Sequence, residues 1–368
     1  MTVELAAVGD ITLHHVPAPD TYREPWDAAD LRIANQEAPL TDGGVPASKL
    51  IRLKSPPAAA GWLRDLGCDV VSLANNHIMD WGESGLRSTL AALDAATVRH
   101  AGAGADIDAA SAPVMLEAKG HRVAFLSFAS TVPVGFEARP DRAGLAAVRV
   151  RTTYDADALL IDEQPGTAPW TATEARADDV ARLVAAIGTA RAGADAVVLA
   201  LHWGVPPAWQ APFQGPLADY QPPLARAAVE AGVDLILGHH AHTVFGIEEV
   251  VSGGRRGLVC YSLGNYLFHP LATPTTLRLD SPSRAYVMGD HAESHETYVA
   301  RFTLAPGPDG RLAVTAARLH PAVLDERCEA RAPSPAEAAR INDRVARFSA
   351  SRGTIVSIDG GAVSWSGG

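Results

Sequence analysis

Val233-Asp234-Leu235-Ile236-Leu237-Gly238-His239-His240-Ala241-His242 begins apolar and ends in imidazoles. The β-rich, nearly continuous hydrophobic run predicts a buried strand, of the kind found in sheets covered on both faces. His240 and His242 leave its end with one residue between them. Such a turn can aim both rings at one point, where neutral imidazole nitrogens hold a transition metal.

The same arrangement recurs along the chain. Val3–Val8 runs into Gly9-Asp10, and Leu31–Ala34 into Asn35-Gln36-Glu37. Val70–Ala74 ends at Asn75-Asn76-His77, Ala196–Leu201 at His202, and Val259–Leu263 at Gly264-Asn265. Between these strands lie stretches of helical periodicity: Pro57–Leu66, Gly85–Ala95, Ala175–Ala192, and Leu224–Ala231 closed by Gly232. Alternating strands and helices predict an α/β fold, in which ligands gather at the carboxyl ends of the strands. Every polar cluster named above stands at such an end. Residues 1–325 are expected to form one domain and residues 326–368 a C-terminal extension. Pro335–Phe348 predicts a helix there, and the Gly-rich end from Gly360 to Gly368 reads as frayed.

At 368 residues and 47% hydrophobic, the chain can bury a large core. A net charge of −11 lacks the basic footprint of a general nucleic-acid binder. Bound dications would reverse that charge locally, so an anionic small-molecule or peptide-like substrate remains compatible. Cys68, Cys260 and Cys328 are too scattered for a disulfide framework. The chain enters a strand at once, with no signal-like segment and no run approaching the apolar length of a membrane span. A soluble, cytoplasmic protein without membrane contact is expected. The oligomeric state is not legible.

Residue by residue, Asp10 offers a carboxylate to a metal, although Gly-Asp alone also suits a simple turn. Glu37 offers a second, or is merely an acid at a helix start. In Asn75-Asn76-His77-Ile78-Met79-Asp80, the Asn76 amide oxygen can ligate, His77 can face substrate, and Asp80 can orient that imidazole. His202 is a candidate ligand, with a structural core histidine as the plainer reading. His239, His240 and His242 are costly to bury without partners, and the pair 240/242 is the one placed to share a metal. Three lysines stand among the 31 basic residues, and two of them lie in Lys49-Leu50-Ile51-Arg52-Leu53-Lys54. If that stretch is extended, Arg52 and Lys54 share a face and are candidates to hold substrate anions; a solvated strand face is the alternative. Trp209, in the proline-rich Val205–Pro223 segment beside His202, is a candidate cover for the pocket.

Taken in order, these words resemble the CapA family of bacterial poly-γ-glutamate capsule biosynthesis proteins, whose fold is similar to that of calcineurin-like metallophosphoesterases. They are Gly9-Asp10, Asn35-Gln36-Glu37, Ser72-Leu73-Ala74-Asn75-Asn76-His77 with Asp80, His202-Trp203-Gly204, Gly238-His239-His240-Ala241-His242 and Ser262-Leu263-Gly264-Asn265-Tyr266. The resemblance implies a two-sheet α/β sandwich flanked by helices and a site for two divalent transition-metal ions (Mn, Fe or Zn). It implies Asp10, Glu37, Asn76, His202, His240 and His242 as ligands, and His77, oriented by Asp80, as general acid or electrostatic stabiliser. His239 would stand just outside the ligands, on the substrate side. Metal-activated water would then attack a phosphoester or a γ-glutamyl or peptide-type amide. The alternative is a non-catalytic assembly or binding protein of capsule synthesis. The chain departs from the pattern at Thr12, where the first motif usually brings an imidazole, a place His14 or His15 could take. Further departures stand at Gln36, Pro206-Pro207, Ala241 and Tyr266.

Overall fold

A computed structural model describes residues 1–49, 51–167, 169–204, 217–269, 276–277, 286–287, 292–307 and 310–367. Alternation along the strands dictates its layers. In the strand Val3–Thr12, Val3, Leu5 and Ala7 point one way, while Ala6 and Val8 point the other. The first set meets Val123, Phe125, Val198, Leu235 and Leu237 from a second sheet, forming the apolar layer between the two. The second set packs under the helices Ala59–Asp65 and Gly82–Ala95 through Leu63, Leu86 and Leu93. The outer face of the second sheet is covered likewise by Ala177–Gly193 and Gln221–Ala231, through Leu183, Ile187, Leu224 and Ala228. The fold is therefore an α/β sandwich of two sheets flanked by helices.

In the larger sheet the strands Val3–Thr12, Leu31–Gln36, Val70–Ser72 and Arg99–Ala101 run parallel. Asn265–Phe268 adds to the end of the first of them, also in parallel. Glu296–Pro306 and Leu312–Leu324 continue the sheet in antiparallel fashion. The smaller sheet has a parallel core of His121–Ala129, Ala196–His202, Leu235–His239 and Arg255–Cys260, edged by antiparallel strands on each side. The parallel strands of both sheets deliver their carboxyl ends to one rim. Gly9 and Gly238 permit the close approach there: a Cβ on Gly9 would lie 1.9 Å from the Gly264 carbonyl oxygen, and one on Gly238 2.1 Å from that of Tyr261.

The C-terminal segment closes the edges. Its helix Pro335–Ser351 opens with a capping box between Ser334 and Glu337 and buries Ile341 and Val345 in the inner layer. The Ser349 and Thr354 hydroxyls accept the Ile247 and Glu249 amides at 3.0 and 2.8 Å, occupying the free edge of the smaller sheet. The Gly-rich end differs from the frayed tail expected. Ala362–Ser366 pairs with Leu312–Leu324, because Val363 and Trp365 alternate inward and are almost fully buried. Among the described residues, no helix is long and apolar enough to cross a membrane.

Candidate metal centre

Each polar cluster predicted from a strand end arrives at the same rim. Register alone pairs Asp10 with Asn35 on one side and Asn265 on the other, and pairs His202 with His239. Beyond His239 the chain takes two left-handed residues, His240 at φ 91° and His242 at φ 51°. Non-glycine residues adopt such angles at a cost, and the strain turns the segment back over the rim. Asn75 holds the next loop by accepting the His77 and Ile78 amides at 3.0 and 2.9 Å.

Asp10 is fully buried and heavily contacted. Its Oδ1 takes Asn35 Nδ2 at 2.8 Å and His239 Nδ1 at 3.1 Å, while Oδ2 takes the His240 amide at 3.2 Å and stands 3.4 Å from His242 Nδ1. Burial raises its carboxyl, but the His239 hydrogen bond and the surrounding imidazoles together outweigh that and hold it well below the usual range. Glu37 is the opposite case. It is equally buried, yet neither carboxylate oxygen has a hydrogen-bond partner among the described residues. Three imidazole nitrogens ring its Oε1, the Nε2 atoms of His242 at 3.7 Å and of His77 and His202 at 3.8 Å. Burial, reinforced by the Asp10 charge, drives the Glu37 carboxyl well above its ordinary value.

The remaining predicted ligands complete the cluster. His202 Nε2 lies 2.8 Å from Asn76 Oδ1 and 3.1 Å from His240 Nδ1, and His242 Nδ1 lies 2.7 Å from Asn265 Oδ1. Burial, then the neighbouring imidazole charges, pushes His240 down to about 3 and His202 well below its normal value, so both rings are neutral donors at neutral pH. Asp10, Glu37 and His242 offer ligand atoms within 4.8 Å of one another. Several buried atoms here lack a hydrogen-bond partner among the described residues: Asn35 Oδ1, Gln36 Oε1, both Glu37 oxygens and His239 Nε2. With Nδ1 of His239 donating to Asp10, every one of these atoms is an acceptor. A surplus of buried lone pairs beside neutral imidazoles fits divalent cations, and the mixed N and O donors suit Mn, Fe or Zn.

His77 stands at the edge of this cluster. Its Nδ1 is 2.6 Å from Asp80 Oδ2, so that nitrogen carries the proton and Nε2 faces Glu37 as an acceptor. Burial, with the Lys49 charge, lowers this imidazole to about 4 against the pull of Asp80.

Other predicted residues are placed elsewhere. Arg52 donates to the Ala47 and Lys49 carbonyls, and Lys54 donates to the Asp42 carbonyl while lying 4.9 Å over the Trp81 ring. Neither guanidinium nor ammonium is drawn into the cluster. Trp209 lies outside the described residues. Thr12 turns its hydroxyl to the His269 carbonyl. His14 and His15 belong to a separate group with His269 and Glu329. There the His14 amide donates to His269 Nδ1, so Nε2 carries the proton that reaches Glu329 Oε1 at 3.1 Å. That ring has no lone pair left for an ion, and the group acts as a staple.

The residue missed from sequence is Lys49. Its Nζ bonds Asp80 Oδ1 at 2.7 Å and the Asn76 carbonyl, and lies 3.2 Å from His77 Nδ1. It therefore ties together both ends of the turn that carries Asn76 and His77. Its scarcity and its place in the basic stretch were the available signals. The assumption of an extended strand directed attention to its neighbours instead.

A family model for the bacterial capsule synthesis protein PGA_cap matches residues 4–270. The PGA biosynthesis protein CapA of Bacillus subtilis is 30% identical over 251 residues, covering 67% of this chain and 56% of that protein. The capsule biosynthesis protein CapA of Bacillus anthracis is 28% identical, over 60% of this chain and 45% of its own length. A probable polyglutamine synthesis accessory protein of Mycobacterium tuberculosis is 32% identical, over 62% and 56%. The match thus spans about half the length of these three relatives. The matched region includes every side chain of the cluster, and the chain belongs to the bacterial capsule synthesis protein (PGA_cap) family.

Proposed function

We propose that this protein is a metal-dependent hydrolase or transferase acting on an anionic small-molecule or peptide-like substrate, at a phosphoester or a γ-glutamyl or peptide-type amide. The observation that carries the reading is the buried Glu37 carboxylate, without a hydrogen-bond partner among the described residues, inside a ring of three imidazoles. Asp10, Glu37, Asn76, His202, His240 and His242 would hold the ions, with His239 and Asn35 fixing Asp10 from behind. Divalent ions there would supply Lewis acidity, which makes water nucleophilic at neutral pH and stabilises negative charge on a substrate oxygen. The protein's own proton carrier is His77. Neutral and held by Asp80, it accepts a proton at Nε2 and returns it to the leaving group. Lys49 fixes the Asp80 carboxylate and so the tilt of that ring.

A second reading, a non-catalytic capsule-assembly protein, is favoured by the word accessory in the mycobacterial relative's name and by Thr12 in place of an imidazole. Assaying phosphomonoesters, phosphodiesters and γ-glutamyl amides side by side, with Mn or Zn supplied, separates the readings. Turnover that needs metal and disappears in His77→Ala supports an enzyme and names its bond. Metal-loaded protein inert toward all three classes would leave the assembly reading.

A further inference from the structure

The outer face of the larger sheet carries a cationic groove far along the chain from the ligand motifs. Register sets Arg301 directly opposite Arg318 on adjacent antiparallel strands. The same row continues to Ser364 and then Ser357. Like charges directly opposite one another repel, so such a pair needs counter-charge. It is only partly supplied. Glu4 Oε2 takes Arg301 Nη2 at 2.9 Å, but its other oxygen is taken by the Thr303 hydroxyl at 2.8 Å. Asp30, the next acid nearby, already pairs with Lys119 at 2.9 Å. Arg318 reaches the Asp359 carbonyl at 3.1 Å and that residue's exposed carboxylate only at 3.8 Å. The Arg301 Nε–H is buried without an acceptor among the described residues. Burial, then the Arg318 and Arg301 charges, holds the neighbouring His320 imidazole down at about 4.

Over this pair the sheet opens into a cavity of about 710 Å³, within the usual size of small-molecule sites. One wall is the segment carrying Ile355, whose side chain is 90% exposed, and Trp365 also borders the space. Except for Glu4, these residues lie beyond the 4–270 stretch shared with the family, so the groove is a feature of this chain's C-terminal part. We infer that it binds a small oxyanion-bearing molecule, with the carboxylate or phosphate seated between Arg301 and Arg318 and a short apolar remainder against Ile355. Guanidinium forks match both anions in bidentate geometry, and the Ser364 and Ser366 hydroxyls, which also line the groove, can donate to the remaining lone pairs.

The full chain is titrated with inorganic phosphate and, separately, with butyrate at constant ionic strength, following the NMR signals of the Trp365 indole and the His320 imidazole. Saturation by at least one anion is expected, the tighter of the two naming the head group. Arg318→Gln, a change at a half-exposed side chain, should weaken binding at least tenfold, and Arg318→Lys should recover part of the loss. Ile355→Ala should weaken butyrate and leave phosphate unchanged. Linear shifts with both anions, or an unaltered dissociation constant in a folded Arg318→Gln protein, would overturn the assignment. None of these readouts involves the metal centre.

Discussion

Replacing Glu37 by Gln keeps its shape and removes its charge, which makes it the sharpest probe of the centre. Without metal the wild-type carboxylate is buried with no hydrogen-bond partner among the described residues, and an unsatisfied charged group costs upwards of about 1–3 kcal/mol. With metal it becomes a ligand. The two forms should therefore respond in opposite directions. Unfolding entropy of about 2.1 cal/mol/K per residue gives roughly 0.77 kcal/mol/K for the 368-residue chain. Mn or Zn at about 100 times its dissociation constant stabilises by about 2.7 kcal/mol, which should raise the wild-type Tm by about 3.5 °C. The variant should lose most of that rise. In EDTA the order reverses with pH. Glu37 has its folded pKa raised above the ordinary 4.5, so its contribution is full below that value and is lost as pH rises through the folded pKa. Metal-free wild type should thus fall behind metal-free Glu37→Gln as pH increases, by about 1–4 °C. Scanning calorimetry of both proteins, with and without metal, from pH 5 to 8 measures each term. A variant that keeps the full metal-induced rise, or that tracks wild type at every pH in EDTA, would refute the reasoning.

Purified protein should carry roughly one to two transition-metal equivalents, and His240→Ala or His242→Ala should remove at least one, as read by elemental mass spectrometry. His77→Ala should keep its metal and lose about 10²–10⁴-fold in kcat on whichever substrate the bond-class assay identifies. Lys49→Met should likewise retain metal while lowering kcat roughly tenfold or more, because Asp80 then loses the ammonium on Oδ1 and keeps the Leu53 amide on Oδ2 as its remaining anchor; equal kcat in the two proteins would remove Lys49 from the site. Ser334→Ala breaks the capping box of the C-terminal helix and should cost about 1 kcal/mol, a Tm decrease of about 1–1.5 °C.

The parts of this protein that local periodicity controls were legible before any coordinates. A parallel strand buried on both faces announces itself as an apolar run, and the residue after it stands on the sheet's carboxyl rim. That is why Asp10, Glu37, His202, His240 and His242 could be singled out as candidates at strand ends, while their joint role as ligands was implied by the family resemblance. What depends on pairing between distant segments was not legible. Asn35 and Asn265 appear in the motifs, but only register reveals that they flank Asp10 on both sides. Lys49 reaches Asp80 from an irregular loop, where no repeat says which side chain turns inward. The last strand was hidden by its glycines, since two inward residues, Val363 and Trp365, are too few to register as a pattern against that composition.

The proposed ligand set draws on both halves of the sandwich. Asp10, Glu37 and Asn76 come from the larger sheet, whereas His202, His240 and His242 come from the smaller one. Any ion gripped by both groups would act as a rivet, clamping the layers together at the rim that carries the carboxyl ends of the strands, while the opposite rim is joined by hydrophobic contact, the Lys119–Asp30 ion pair and the Leu312 amide on the Asp195 carbonyl. Metal loading should then slow amide hydrogen exchange at the strand ends around Asp10 and His239 and leave the amino-terminal ends nearly unaffected. Chelation would loosen the molecule asymmetrically, like a book opening from its unbound edge.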